Sequence, residues 1–128
     1  LRPASPEVHA AIGTAYTHIG KPADADRHLK IAIALDPASE HARIAWAESL
    51  LNRGLANDAC RQLETLLAFN TNSLQAHLRL ALFYTSQNQT QKSANHFSEV
   101  LRIDPNNETA RRYMSSPNTQ SNTANMLN

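Results

Sequence analysis

The side chains in this sequence most able to do chemistry are six histidines: His9, His18, His28, His41, His77 and His96. A neutral imidazole nitrogen binds transition metals, and the ring takes up a proton near neutral pH. Metal chemistry calls for fixed spacing, such as two histidines four apart on one helix face, HExxH, or paired CxxC motifs. None of these patterns occurs. Instead His77 follows His9 by 68 residues, and His96 follows His28 by the same 68. Equal offsets point to repeat ancestry rather than ligation. His18 and His41 are placed to face one surface from adjacent helices, where a weak metal or anion contact is the chemistry on offer. The expectation is no metal site and no cofactor.

Other reactive groups are sparse. Cys60 is the single cysteine, which excludes an internal disulfide and a thiolate metal cluster. It neighbours Arg61 but no evident base, so it reads as a small half-buried residue rather than a nucleophile. The glycines, Gly13, Gly20 and Gly54, are isolated, so no phosphate-cradling loop exists. A net charge of +1 makes no electrostatic case for nucleic acid or an anionic membrane. No apolar run approaches the roughly 20 residues that span a bilayer. Nothing in these residues reads as catalysis, and the chain is expected not to be an enzyme.

The elements that position these residues follow a 34-residue period. Small residues align at Ala25, Ala59 and Ser93, and large apolar ones at Leu29, Leu63 and Phe97. Two further columns follow, Ala32, Leu66, Val100 and Leu35, Phe69, Ile103. Asp36-Pro37 and Asp104-Pro105 close two of the three units. A fixed period of this length marks stacked helical repeats. The division is a lead-in over 1–5, repeats over 6–39, 40–73 and 74–107, a capping helix over 108–115 and a polar tail over 116–128.

Each unit spells out two helices. Ser5-Pro6-Glu7 is a helix start with cap, N1 proline and first-turn acid. Val8, Ile12, Ala15, Tyr16 and Ile19 then follow at helical spacing as the expected inward face. Gly20 and Gly54 end the first helices of units one and two, and Asn88 stands in the same place in unit three. Ser39 and Ser73 start the later first helices, and Thr90 is the expected cap of the sixth. Trp46 is expected in the core. In unit two Asn70-Thr71 replaces Asp-Pro, so the turn there rests on Asn70, Asn72 and Ser73.

These columns resemble the tetratricopeptide repeat. Unit one carries Ile12-Gly13, Tyr16, Ala25, Leu29, Ala32 and Pro37 in the family's preferred places. Unit two keeps Trp46, Ala59 and Leu63. Unit three keeps Leu80-Ala81, Tyr84, Phe97, Val100 and Pro105. The departures are His9, Arg43 and His77 where the family favours Trp, Thr71 for Pro, Ser93 for Ala and Leu50 for Tyr. The resemblance implies an all-α, right-handed superhelical solenoid of antiparallel helix pairs, about seven helices in all.

It also implies a function, which is to hold a protein or peptide ligand in a concave groove lined by first helices. Carried over column by column, the groove residues are Thr14 and His18 in unit one, with Glu7, Ala10 and Thr17 beside them. Unit two supplies His41, Ile44, Glu48, Leu51 and Asn52, beside Ala45. Unit three supplies Gln75, Leu78, Arg79, Leu82 and Ser86, beside Thr85, with Arg112 closing the end. The family's chaperone-binding branch holds a C-terminal carboxylate with Lys, Asn, Asn, Lys and Arg. Those columns here are Ala10, Thr14, Ala45, Gln75 and Arg79. Only Arg79 matches, and one cation without its partners does not make that clamp.

The resemblance and composition together suggest an adaptor in a bacterial assembly, in secretion, pilus biogenesis or the envelope. The alternatives are a regulatory or accessory domain of a larger enzyme or sensor, and self-association through the groove or tail. The tail's apolar pair, Met126-Leu127, is expected to occupy a groove as a pseudo-ligand. The start, Leu1-Arg2-Pro3, lacks Met and reads as a domain of a longer or processed chain. A soluble domain of cytoplasm or periplasm is expected, with no membrane insertion.

Overall fold

Seven helices make up the described part of the chain, residues 4–116 of a computed structural model. They are α1 (Pro6–His18), α2 (Pro22–Leu35), α3 (Glu40–Asn52), α4 (Ala56–Phe69), α5 (Leu74–Ser86), α6 (Thr90–Ile103) and α7 (Glu108–Met114). The chain divides into two bodies, the first ending at Ser73 and the second beginning at Leu74. In the first body α1 packs on α2, α3 packs on α4, and α3 also lies against α1 and α2. In the second, α5 packs on α6 and α6 on α7.

Local chemistry sets the helix ends. The Ser5 hydroxyl accepts from the Val8 amide at 3.2 Å, Ser39 from Ala42 at 3.2 Å, and the Asn107 side chain from Ala110 at 3.0 Å. Each satisfies an amide that the first helical turn leaves without a partner. Thr90 does not cap α6. It is the first helical residue, and Gln89 before it makes no side-chain cap bond. Thr90 starts the helix with its backbone already helical, so its hydroxyl cannot reach forward as a cap does.

The hairpin turns repeat one geometry. Gly20 (φ 78°), Gly54 (φ 76°) and Asn88 (φ 58°) all lie in the left-handed region. The next amide in each case returns to the preceding helix: Lys21 to the Tyr16 carbonyl at 2.9 Å, Leu55 to Leu50 at 2.8 Å and Gln89 to Tyr84 at 2.9 Å. This is the bond of the Schellman turn. The turns that link one pair to the next are also alike. Asp36 accepts from the Ala38 amide, Asn70 from Asn72 and Asp104 from Asn106, at 3.1, 3.1 and 3.2 Å. The side chain of Asp or Asn mimics a backbone turn, so unit two keeps its turn although Thr71 replaces proline.

The cores are built from small residues. In the first body, Ala10, Ala32 and Ala42 form one cluster with Ile33 against it. Ala25, Leu29 and Ala45 form another, bordered by Tyr16 and Trp46. Trp46 is thus half-buried at the cluster edge rather than enclosed, and its indole Nε1 is buried without a partner among the described residues. In the second body Ala81, Phe97, Val100 and Ala110 form the core, with Leu78, Tyr113 and Met114 packed on it.

The inward face of α1 differs from the expected one. Its buried residues are Ala10 and Gly13, while Val8 and Ile19 are 48% and 64% exposed and Ala15 is exposed. Leu35 and Phe69 are likewise more than half exposed. Helices that approach closely do so along their smallest side chains, and that turns the larger ones outward. Gly13 shows how close. A Cβ built there lies 2.5 Å from Leu29 Cγ, and Leu29 is fully buried. Gly13→Ala gains about 1 kcal/mol of helix propensity but overpacks at a cost of about 1–3 kcal/mol. The expected result is a net loss of about 1 kcal/mol, read as a lower urea midpoint at unchanged m-value. A raised midpoint would show that α1 and α2 have room to separate.

Candidate functional site

The first helices carry the expected groove residues, and the structure sorts them. In the first body His18, His41, Leu51 and Asn52 are exposed, and Thr14, Ile44 and Glu48 are half-buried. Ala10 and Ala45 are core residues instead, for the packing reason just given. Thr14 donates its hydroxyl to the Ala10 carbonyl at 2.9 Å, and Thr17 to Gly13 at 3.0 Å. Those hydroxyls are occupied by their own helix. In the second body Gln75, Leu82 and Ser86 are exposed and Arg79 is half-buried. Ser86 donates to the Phe83 carbonyl at 2.6 Å. Leu78 is not open surface, because it packs on the core of that body.

A cleft of about 360 Å³ lies in the second body, between the end of α5, the start of α6 and α7. Phe97 and Tyr113 stack in it with centroids 4.9 Å apart. Met114 and Ala94 add apolar wall, and Thr85, Asn88, Thr90, Ser93 and Ser116 supply polar atoms. Ser93 is not free to bind. It donates to the Ala81 carbonyl at 3.1 Å and lies 2.5 Å from the Thr85 hydroxyl. Arg112 lines the cleft, is exposed and makes no ion pair among the described residues. A volume of this size, mostly apolar with a few polar groups, is what small ligands and peptide side chains occupy. The sequence had pointed to Arg112 and Thr85 only. The α6 and α7 walls were missed because Phe97 reads as core from its repeat column and Tyr113 reads only as part of the capping helix.

A second arrangement was hidden in the columns that depart from the family pattern. His9 meets His28, with Nδ1 atoms 3.1 Å apart. His77 meets His96 at 3.0 Å. Between them in sequence, Arg43 donates to Gln62 Oε1 at 2.8 Å. Each pair joins a first helix to its second helix over the same separation of 19 residues. The shared histidine columns are therefore contacts as well as ancestry. The 19-residue offset between polar columns was the available signal.

Arg43 is buried and donates further to the Pro37 carbonyl at 2.7 Å, with its guanidinium 5.6 Å from the Phe69 ring centre. Burial lowers its affinity for its proton below the usual arginine value. Cys60 is buried too, and burial, then the nearby Glu64 carboxylate, push its thiol up to about 11. No group of three or more His, Cys, Asp or Glu side chains placed to hold a metal occurs among the described residues. No helix among them is long and apolar enough to cross a membrane.

Known structures share this fold. The chain superposes on the first TPR of Spaghetti (RPAP3), bound to the HSP90 peptide SRMEEVD, with a TM-score of 0.80 over 94% of this chain and 96% of that one, at 18% identity. It matches MamA with a TM-score of 0.74 at 26% identity, over 85% of this chain and 64% of MamA. The chain has the tetratricopeptide repeat fold. A third neighbour, YrrB, a TPR protein with an unusual peptide-binding site, gives 0.74 at 18% identity over 89% of this chain and 59% of that one. Anaphase-promoting complex subunit 7 of Arabidopsis thaliana is 34% identical over 99 residues, which are 77% of this chain and 17% of that protein. The repeats thus span a small part of that relative and under two thirds of the MamA and YrrB chains. No protein-family model matches the sequence. Among the described residues its class is the all-α repeat solenoid.

Two measurements probe this chemistry. Arg43→Ala strips the Gln62 and Pro37 oxygens of a charged donor and should cost about 2 kcal/mol, read by chemical denaturation. In the native protein, iodoacetamide should label Cys60 slowly through pH 9 and faster only toward pH 11, because the thiolate is the nucleophile. Rapid labelling at pH 8 would place Cys60 in an open site.

Proposed function

We propose that this tetratricopeptide protein is an interaction scaffold that holds an extended or helical segment of a partner protein. The carrying observation is the cleft in the second body, with the stacked Phe97 and Tyr113 and with Arg112, which makes no ion pair among the described residues. It offers an apolar seat beside a cation, which suits an apolar side chain next to a carboxylate. Leu82 on α5 adds an apolar side chain that is 37% exposed. In the first body, His18, His41, Ile44, Glu48, Leu51 and Asn52 form the corresponding contact set, with Thr14 at its edge. In the second body the set is Gln75, Arg79, Leu82 and Ser86 with Arg112, and Leu78 supports it from within the core.

Two neighbours favour peptide binding, since one was solved with an HSP90 peptide and the other has a peptide-binding site. The finer setting we propose is an adaptor within a multiprotein assembly. The likeness to a complex subunit supports the assembly part, although that subunit is a plant protein. The bacterial secretion, pilus or envelope setting rests on composition and on analogy with the family.

A pull-down with the chain as bait tests the reading. A partner retained by wild type should be lost from a Leu82→Glu, Arg112→Glu double variant whose helical signal and melting temperature are unchanged. Retention by that variant would remove the cleft from the binding surface. In calorimetry, a peptide ending Glu-Glu-Val-Asp should show no micromolar binding, because four of the five clamp columns lack the needed side chain. Micromolar binding that disappears in Arg79→Ala would reverse this conclusion.

A further inference from the structure

The contact between His9 on α1 and His28 on α2 has a consequence for acid. Their Nδ1 atoms lie 3.1 Å apart, with the rings tilted by 27°. One hydrogen bond of this kind holds one proton: one nitrogen donates and the other must keep its lone pair to accept. With an N–H on both nitrogens, two donors would face each other and the bond would be lost. A charge on both rings would add repulsion at short range.

Neither ring makes an ion pair with a carboxylate among the described residues. Tyr16 stacks on His28 with centroids 5.7 Å apart and brings no negative charge at neutral pH. On α1, Glu7 is exposed and two residues from His9, a spacing that puts it on another face. On α2, Asp24, one turn before His28, is bound to Arg27 at 3.2 Å, Asp26 to Arg53 at 3.0 Å, and Lys30 is exposed. On α3, Glu40 accepts from Ser73, Arg43 is engaged by Gln62 and Pro37, and His41 is exposed.

Unit three answers differently. His77 and His96 make the same contact at 3.0 Å, and Tyr84 stacks on His96 at 5.6 Å. There Glu99, one turn beyond His96, carries a carboxylate that interacts with both rings. It is held below the usual range first by its Arg102 hydrogen bond, with the two histidines contributing. Unit two avoids the problem altogether, since arginine and glutamine keep fixed donor and acceptor roles across the pH range where histidine titrates.

We propose that the His9–His28 contact is an acid-sensitive fastener between α1 and α2, closed while the pair shares one proton and opened when acid protonates both rings. The sign follows from proton counting. The unfolded chain accepts a proton on each ring, whereas the closed contact accepts one fewer. Stability contributed by the contact is therefore present at neutral pH and lost as the pH falls. α1 also carries Thr14 and His18, so opening would act on a helix of the proposed binding surface, although the fastener itself does not depend on that proposal.

The test compares thermal melts of the full chain at pH 7.5 and 5.0 at constant ionic strength. The second protein is a His9→Arg, His28→Gln variant, which copies the pairing of unit two. Wild type should lose about 4 °C more than the variant on acidification. Equal losses would overturn the proposal. If the variant does not fold, a proton NMR titration of wild type decides. Coupled, two-step titration of the His9 and His28 rings supports the fastener, and independent single-step titration of both refutes it.

Discussion

The close approach of the two helices within each pair is the constraint on which the other features depend. It is set by one column, Ala25, Ala59 and Ser93, all buried. Where that column is alanine, nothing but a methyl group separates the helix from its neighbour. In unit one the opposing helix contributes Gly13, and Leu29 fills the space a Cβ would need. Burial of Leu29, Leu63 and Phe97 follows from the same approach. Each contributes roughly 1.5–3 kcal/mol relative to exposure. Ser93 shows what the column demands of a polar residue. Its hydroxyl is removed from water and must bond within the protein, which it does to the Ala81 carbonyl.

Close packing along one stripe leaves the ends of each pair to be joined by other means. In much of the family the first-helix column at His9, Arg43 and His77 is filled by tryptophan. Here the three units fill it with groups that hydrogen-bond across to His28, Gln62 and His96. An indole would have buried more apolar area. The polar pairs instead add direction, because a hydrogen bond fixes the register of one helix against the other more narrowly than apolar contact does. The cost is desolvation, visible in the effect of burial on Arg43.

Much of this was legible in the residues. Helix ends were readable because they depend on local chemistry: Ser5 and Ser39 cap, and Gly20, Gly54 and Asn88 turn left-handed. The family was readable because three units agree in register. The inward face of α1 was not. Val8, Ile12 and Ile19 are spaced as a helix face should be, yet the buried residues are Ala10 and Gly13. Hydrophobic spacing identifies a stripe that can be buried, whereas closeness of approach selects the stripe that is. Thr90 illustrates a smaller error of the same kind, since a residue type suited to capping stood one place inside the helix. The tail expected to return to a groove, 116–128, lies outside the described residues apart from Ser116.

The amino-acid order alone determined the helical period, the turns and the repeat class, because each of these is written in contacts between residues a few places apart. Tertiary structure decided which side chains became surface and which became structure. Leu78 moved from groove to packing on the core, and Phe97, a core residue, also lines the cleft with Tyr113. Four histidines that looked like the trace of duplication turned out to face one another. Such outcomes depend on where two helices meet in space, and a separation of 19 residues brings two side chains together only after the turn between them has closed.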